Sequence, residues 1–282
     1  MSWRRPQPEI CGDLSAAIGN TPLLRLRKAS EQTGATILGK AEFMNPGGSG
    51  KDRAALYIVR DAERRGVLRP GGLIVEGAAG DICVSLALVA RARGYRTHLV
   101  LPAGASKREE RLRLLGAEVS EADDYVKAAA QLAEQLAATE PNGVLYANQG
   151  DNRANRQSHY ETTGPELWRQ SGGRIDAFVC AVETGGTLAG AGAYLREQRR
   201  GVLLAVAEPT GEAPRVTGNL AGAHAERTCA ISEHEAHAVL HELLHAEGVC
   251  VGMSSAVNVA AAVRVALALG PGHSVVTLLS SS

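Results

Sequence analysis

The sequence predicts an α/β protein of two open lobes with mostly parallel sheets. Short apolar, β-branched runs alternate along the chain with longer Ala-, Leu-, Arg- and Glu-rich segments of helical character. That alternation, with strands apolar throughout, is the pattern of a parallel sheet covered by helices on both faces. The size agrees: 282 residues, 45% hydrophobic and 21% charged, form a globular chain long enough for one large domain or two modest ones.

Taken in order, a helix is expected over 51–65, where a glycine turn gives way to Ala, Leu, Ile and Arg. A strand follows at 74–76 (Ile-Val-Glu), then a helix at 84–93 and a strand at 97–101 (Thr-His-Leu-Val-Leu). Charged and Ala-rich stretches predict helices at 107–115 and 125–138, and the run at 144–147 predicts a strand. In the second half, strands at 177–182, 203–207 and 275–279 frame helices at 187–196, 233–247 and 257–269. The polar stretch 150–157 punctuates the middle and marks a junction near residue 150, while 211–225 is Gly-rich and weakly periodic.

Composition excludes several functions. With 30 basic against 30 acidic residues the net charge is +0, so there is no generic electrostatic case for nucleic acid or an acidic membrane surface. Aromatics are only 4%, which argues against base-stacking platforms. Cys11, Cys83, Cys180, Cys229 and Cys250 lie far apart with no C-x-x-C pair, a pattern that suits reduced thiols and a cytoplasmic protein. The start, MSWRRPQPEICGDL, has no apolar core of a signal peptide, and no apolar stretch of about 18 residues follows it. Glycine, 32 of 282, exceeds the usual share of about 7%, and two clusters of it carry chemistry.

The first cluster is Asn45-Pro-Gly-Gly-Ser-Gly-Lys51-Asp-Arg53, a glycine turn that delivers a lysine to a helix start. A nucleotide-binding phosphate loop needs Gly where Asn45 stands and Ser or Thr where Asp52 stands, so that reading fails. The positive end of the helix dipole and burial both favour a neutral amine, which makes Lys51 a candidate nucleophile for Schiff-base chemistry. Asp52 and Arg53 read as a charge pair that holds the turn. The second cluster, Glu183-Thr-Gly-Gly-Thr187, joins an apolar strand to a helix. Its backbone N–H groups and threonine hydroxyls form an anion cradle suited to a phosphate. A phosphate-bearing cofactor and a Schiff-base lysine together point to pyridoxal phosphate.

Further segments complete a resemblance. Ile18-Gly-Asn-Thr-Pro-Leu-Leu24, Asn45–Arg53, Glu76 to Ala87, Ala147-Asn-Gln-Gly-Asp-Asn152, Thr162-Thr-Gly-Pro-Glu166, Thr184–Thr187 and Gly252-Met-Ser-Ser255 stand in the order seen in cysteine synthases. The chain resembles that family, the O-acetylserine sulfhydrylases of the tryptophan-synthase-β-like group. The resemblance implies a cofactor cleft between two lobes: a smaller one of residues 44–148 on the substrate-loop side, and a larger one of 12–43 plus 149–282 on the phosphate side. It implies a homodimer acting on a small amino-acid substrate. It makes Lys51 the catalytic, cofactor-bearing lysine, Thr184, Gly185, Gly186 and Thr187 the phosphate turn, and Ser254 the partner of the pyridine nitrogen. Gly80 and Gln149 become substrate-binding residues, and the implied reaction is β-replacement or β-elimination on an activated serine.

The departures from the family pattern fall on this site. The family's carboxylate loop reads roughly T-S-G-N-T-G, whereas this chain has Ala78-Ala79-Gly80-Asp81-Ile82-Cys83. Hydroxyl donors are lost, and a carboxylate replaces an amide that donates to the cofactor ring. Glu183 replaces a glycine, Gly50 an apolar residue and Gly150 an aromatic. The 209–229 segment is short, and the chain stops at Ser282, before the family's usual C-terminal segment. Another substrate, or a paralogue that binds or regulates without catalysis, are the two alternatives these changes open. Cys83 reads as a small residue at a helix start or an accessible thiol, and His159 and Tyr160 as packed or site-lining residues. His241-Glu-Leu-Leu-His245, with His234 and His237 on the same helix, matches the zinc-protease pattern H-E-x-x-H. No third ligand follows except His273, so the reading is a solvated helix face and no metal.

Overall fold

A computed structural model describes residues 10–211 and 217–281. The residues before 10, which carry the expectation about a leader, those at 212–216 inside the short segment, and Ser282 lie outside the described residues. In chain order the elements are β1 (Leu23–Arg25), α1 (Arg27–Thr33), β2 (Thr36–Ala41), α2 (Lys51–Arg64), β3 (Leu73–Gly77), α3 (Ile82–Arg93), β4 (Arg96–Leu101), α4 (Ser106–Leu114), β5 (Glu118–Glu121), α5 (Tyr125–Ala137) and β6 (Val144–Tyr146). They continue with α6 (Arg153–Ser158), α7 (Gly164–Gln170), β7 (Ala177–Ala181), α8 (Gly186–Gln198), β8 (Leu203–Pro209), β9 (Arg227–Ile231), α9 (Glu233–Glu247), α10 (Met253–Leu269) and β10 (Ser274–Leu279). A π-turn at His159–Thr163 joins α6 to α7.

The strands form two sheets. One runs β5-β4-β3-β6 and is parallel throughout; the other runs β1-β2-β10-β7-β8-β9 and is parallel except for the β1–β2 pair. The expected α/β class with mostly parallel sheets is therefore present. Every expected strand and helix appears, within a few residues of its expected ends.

Side-chain spacing explains how helices cover these sheets. In α2, Ala54, Ile58 and Ala62 recur every four residues beside Ala55 and Val59, and all are buried, so one face packs onto α3 and the smaller sheet. Gly66, at φ +70°, follows the helix in the left-handed conformation that closes it. Helix α10 is buried almost all round, with Ala256, Val257, Val259, Ala260, Ala261 and Ala262 in its centre. Small side chains let it lie close against the larger sheet.

A charged cluster is buried where α2 meets the larger sheet. Arg53, 1% exposed, binds Glu42 through Nε and Nη2, each at 2.8 Å, and Glu166 through Nη1 at 2.7 Å and Nη2 at 2.9 Å. Lys40 Nζ completes the set 2.6 Å from Glu166 Oε2, and Thr21 Oγ1 donates to Glu42 Oε1 at 2.6 Å. Burial alone opposes ionised carboxylates, but the Arg53 guanidinium outweighs it: Glu42 is held below its ordinary range and Glu166 at about 2. Two cations and two anions thus neutralise one another inside the protein, with the fork of Arg53 making the bidentate contacts.

Removing that fork strands two buried carboxylates. Arg53→Ala is expected to lower unfolding stability by roughly 3–5 kcal/mol, with Arg53→Lys recovering only part of the loss, measured by urea unfolding. A loss under about 1 kcal/mol, the range of an exposed ion pair, would contradict the cluster's structural role.

Candidate active site

The lysine turn is fixed from several sides. Gly48 O accepts from both the backbone N and the Oγ of Ser281, each at 2.9 Å. Asn45 Oδ1 accepts from Gly19 N at 2.8 Å, and Asn45 Nδ2 donates to Glu42 Oε2 at 2.8 Å, so the turn is tied to the buried cluster. Asp52 Oδ2 accepts from Gly47 N, and its Oδ1 from Ser85 Oγ on α3. Asp52 and Arg53 therefore do not form the charge pair expected from sequence. Their side chains point to different partners, Asp52 closing the turn onto α3 and Arg53 reaching the buried carboxylates. Lys51 is left as the first residue of α2 with its side chain 19% exposed, and its Nζ lies 2.6 Å from Glu183 Oε2.

The second turn supplies that carboxylate. Strand β7 stops at Ala181, one residue short of the expected end, and α8 starts at Gly186. Its N-cap, Gly185, has φ +74° and makes no side-chain cap, so no cap side chain claims the first-turn N–H groups. A Cβ on Gly186 would stand 2.3 Å from Asn155 Oδ1, so only glycine fits there. Asn155 Nδ2 donates to Thr184 Oγ1 at 3.0 Å and to Gln149 O at 2.9 Å, and Thr217 Oγ1 donates to Thr184 O. Thr187 Oγ1 lies 3.1 Å from His159 Nε2, while His159 Nδ1 lies 2.9 Å from Thr163 Oγ1. Burial and then the Arg53 charge push His159 down to about 3, which leaves a neutral imidazole that bridges two hydroxyls.

Gly80 and Gln149 approach the same place. A Cβ on Gly80 would lie 3.4 Å from Glu183 Oε1, so Glu183 spans from Lys51 to the altered loop. Asn148, at φ +44°, bends the chain before Gln149, whose carbonyl is held by Asn155 and by Asn219 Nδ2 at 2.8 Å. Among the described residues Gln149 Oε1 is buried with no hydrogen-bond partner, and so is Glu76 Oε2. Burial pushes the Glu76 carboxyl up to about 8 even though the N–H groups of Gln149 and Asn148 and the Lys51 charge oppose it. Ser254 stands exposed in the first turn of α10. Its buried neighbour Ser255 donates to Ser280 O at 2.9 Å and accepts from Ser280 N at 2.7 Å, next to the Ser281 that holds the lysine turn.

These residues suit pyridoxal phosphate. An amine at a helix start, an uncapped helix N-terminus with two glycines and two threonines for a phosphate, and a buried amide at Gln149, whose Oε1 can accept from an amino group and whose NH2 can donate to a carboxylate, match what that cofactor and an amino acid present. Glu183 is the exception, since its carboxylate already holds Lys51.

Several supporting residues escaped the sequence reading. Asn155 sits in a stretch read as punctuation, and Glu42 and Glu166 lie far from Arg53 in sequence. Of the two residues expected to pack or to line the site, His159 is buried against Thr187, while the Tyr160 hydroxyl donates to Glu197. Cys83 is buried within α3, its Sγ 3.3 Å from Ala78 O. On α9, His234, His237, His241 and His245 are exposed, and the rings of the last two lie 4.0 Å apart. Among the described residues no group of three or more His, Cys, Asp or Glu is placed to hold a metal.

The raised carboxyl of Glu76 has a thermodynamic consequence. The unfolded chain gives up this proton near pH 4.5 while the fold keeps it to about pH 8, so this residue's contribution to stability declines across that interval and then levels. Glu76→Gln removes the titration, and the stability of the variant relative to wild type should rise by a few kcal/mol between pH 5 and 8 in urea unfolding of the cofactor-free protein. A difference that stays flat with pH would show that Glu76 is ionised in the fold.

Comparison with known proteins shows the family. Residues 14–281 match the pyridoxal-phosphate dependent enzyme family. Cysteine synthase 1 of Neurospora crassa is 44% identical, over 96% of this chain and 80% of its own. Cysteine synthase B of Salmonella typhimurium is 36% identical, over 94% and 91%. Among solved structures, a hydrogen sulfide-producing enzyme from Fusobacterium nucleatum superposes with a TM-score of 0.90 at 26% identity, covering 99% of this chain and 98% of that one. An O-acetylserine dependent cystathionine beta-synthase from Helicobacter pylori superposes with a TM-score of 0.88 at 27% identity, covering 97% and 96%. The family's cofactor is pyridoxal phosphate, and this chain belongs to the cysteine synthase family of pyridoxal-phosphate dependent enzymes.

Proposed function

We propose that this protein carries out β-replacement, or β-elimination, on an activated serine-type amino acid. The observation that carries the proposal is that the Lys51 amine at the start of α2 lies beside the uncapped glycine turn that opens α8, its Nζ 2.6 Å from the side chain of the residue that precedes that turn. Bound pyridoxal phosphate supplies the electron sink that stabilises negative charge at the substrate Cα. The residues of this chain do the rest. Lys51 would hold the cofactor through its amine, and that amine is the base placed to take the substrate Cα proton. The first-turn amides of α8 with Thr184 and Thr187 orient the phosphate, and neutral His159 fixes the Thr187 hydroxyl without adding charge.

On the substrate side, Gln149 and the Gly80 backbone receive the amino-acid carboxylate. Ala78 and Ala79 offer no hydroxyls, and Asp81 adds negative charge, so recognition leans more heavily on Gln149 than the family pattern does. The altered loop at Ala78–Cys83 opens the site to other leaving groups and nucleophiles beside the usual ones. A homodimer, a cytoplasmic location, and a division into lobes at 44–148 and 12–43 plus 149–282 are part of this proposal. A second reading, a paralogue that binds without catalysis, is favoured by one observation, the carboxylate of Glu183 on Lys51.

Incubation with O-acetylserine and sulfide, with product cysteine quantified, separates the two. Wild-type protein loaded with pyridoxal phosphate is expected to form cysteine, Lys51→Ala to fall to background, and Gln149→Ala to raise KM more than it lowers kcat. Wild-type turnover indistinguishable from Lys51→Ala with O-acetylserine and a panel of other β-substituted alanines would overturn the enzymatic reading.

A further inference from the structure

The geometry points to Glu183 as an internal counter-ion that competes with the cofactor for Lys51, so that capture of pyridoxal phosphate requires this carboxylate to swing out of the cleft. The inference rests on Lys51 being the cofactor-bearing lysine. Three observations lead to it. Glu183 Oε2 lies 2.6 Å from Lys51 Nζ, and the lysine side chain is only 19% exposed. Its other oxygen lies toward Gly80, 3.4 Å from where a Cβ would stand, so the side chain crosses from the lysine turn to the substrate loop. The residue directly precedes the Thr184–Thr187 turn, which places the crossing beside the phosphate cradle.

Each contact has a chemical consequence. An ammonium paired to a carboxylate carries no free electron pair, so it must leave that partner and lose a proton before it can attack an aldehyde carbon; the aldehyde oxygen then departs as water. A carboxylate lying across the cleft also occupies space and imposes charge where an anionic, planar cofactor must enter. Glu183 itself is 49% exposed, which gives it open solvent to swing into. It is therefore a positioning residue whose effect is exerted through Lys51. Its removal leaves the packed core untouched.

The test follows capture of pyridoxal phosphate by the cofactor-stripped full chain, read by the absorbance of the lysine-linked cofactor and by borohydride reduction with the mass shift located on Lys51. Wild type is compared with Glu183→Gln, which removes the charge, and Glu183→Asp, which keeps the charge at the turn but shortens its reach to Nζ. Both variants are expected to capture the cofactor roughly twofold to fivefold faster than wild type at neutral pH, the scale of a partly exposed ion pair. Added salt should narrow the gap by screening the wild-type pair. Equal rates in all three proteins would overturn the proposal. Slow capture by Glu183→Asp beside fast capture by Glu183→Gln would overturn it too, because the charge would then act on the phosphate and not through Lys51. If the mass shift falls on a residue other than Lys51, or no protein captures the cofactor, the assignment of Lys51 fails and the counter-ion role with it.

Discussion

The arrangement of the site depends on the buried guanidinium of Arg53. It lies two residues after Lys51, the proposed cofactor lysine, and its fork is gripped by carboxylates from two other segments, Glu42 after β2 and Glu166 on α7. A helix start is ordinarily a place where the chain can fray. Here the first turn of α2 is pinned through Arg53 to the larger sheet and through Asp52 to α3, so Lys51 projects from a rigid base. The same cluster reaches the lysine turn through Asn45, and its positive charge helps to keep His159 neutral. One electrostatic device thus holds the first turn of α2 and adds to the burial that keeps His159 neutral beside the opposing turn.

The opposing turn is held by amides. Asn155 joins the Gln149 loop to Thr184, and Asn219 grips the same Gln149 carbonyl. These side chains explain why the glycines at 185 and 186 cannot be replaced: the backbone passes so close to Leu220 and Asn155 that a Cβ has no room. The C-terminal end of β10 performs the matching task on the other side, where Ser280 anchors the start of α10 and Ser281 anchors Gly48. Lysine turn, phosphate turn and the serine-bearing helix are therefore coupled through short polar links rather than through an apolar core. That suits a cleft that must admit a charged ligand.

Most of the fold was legible because buried parallel strands are apolar runs, and β3, β4, β6, β7, β8 and β10 show themselves in that way. The strands that escaped are those that break the pattern. β5 (Glu-Val-Ser-Glu) is an edge strand with only Val119 buried, and β9 (Arg-Thr-Cys-Ala-Ile) is another edge with its first residues exposed. β2 contains Gly39 and Lys40 in its interior; a lysine at 0% exposure reads as surface until Glu166 is seen beside it. The two strings of the candidate site, at Lys51 and at Thr184–Thr187, were legible locally, and the structure brings them together through the Lys51–Glu183 pair. The supports of that site were not legible, since Arg53 with Glu166 and Asn155 with Thr184 are pairs that only the fold brings together. The Asp52–Arg53 pairing expected from adjacency failed for the same reason: neighbours at a helix start point to different sides.

The account's central claim is that Lys51 and the Gly185–Thr187 turn hold one pyridoxal phosphate molecule between them. A crystal structure of the protein grown with pyridoxal phosphate tests it most directly. The expected result is continuous density from Lys51 Nζ to the cofactor, with the phosphate on the backbone N–H groups at the start of α8 and Glu183 turned to solvent. Cofactor bound elsewhere, or Lys51 still paired with Glu183 at saturating cofactor, would contradict it.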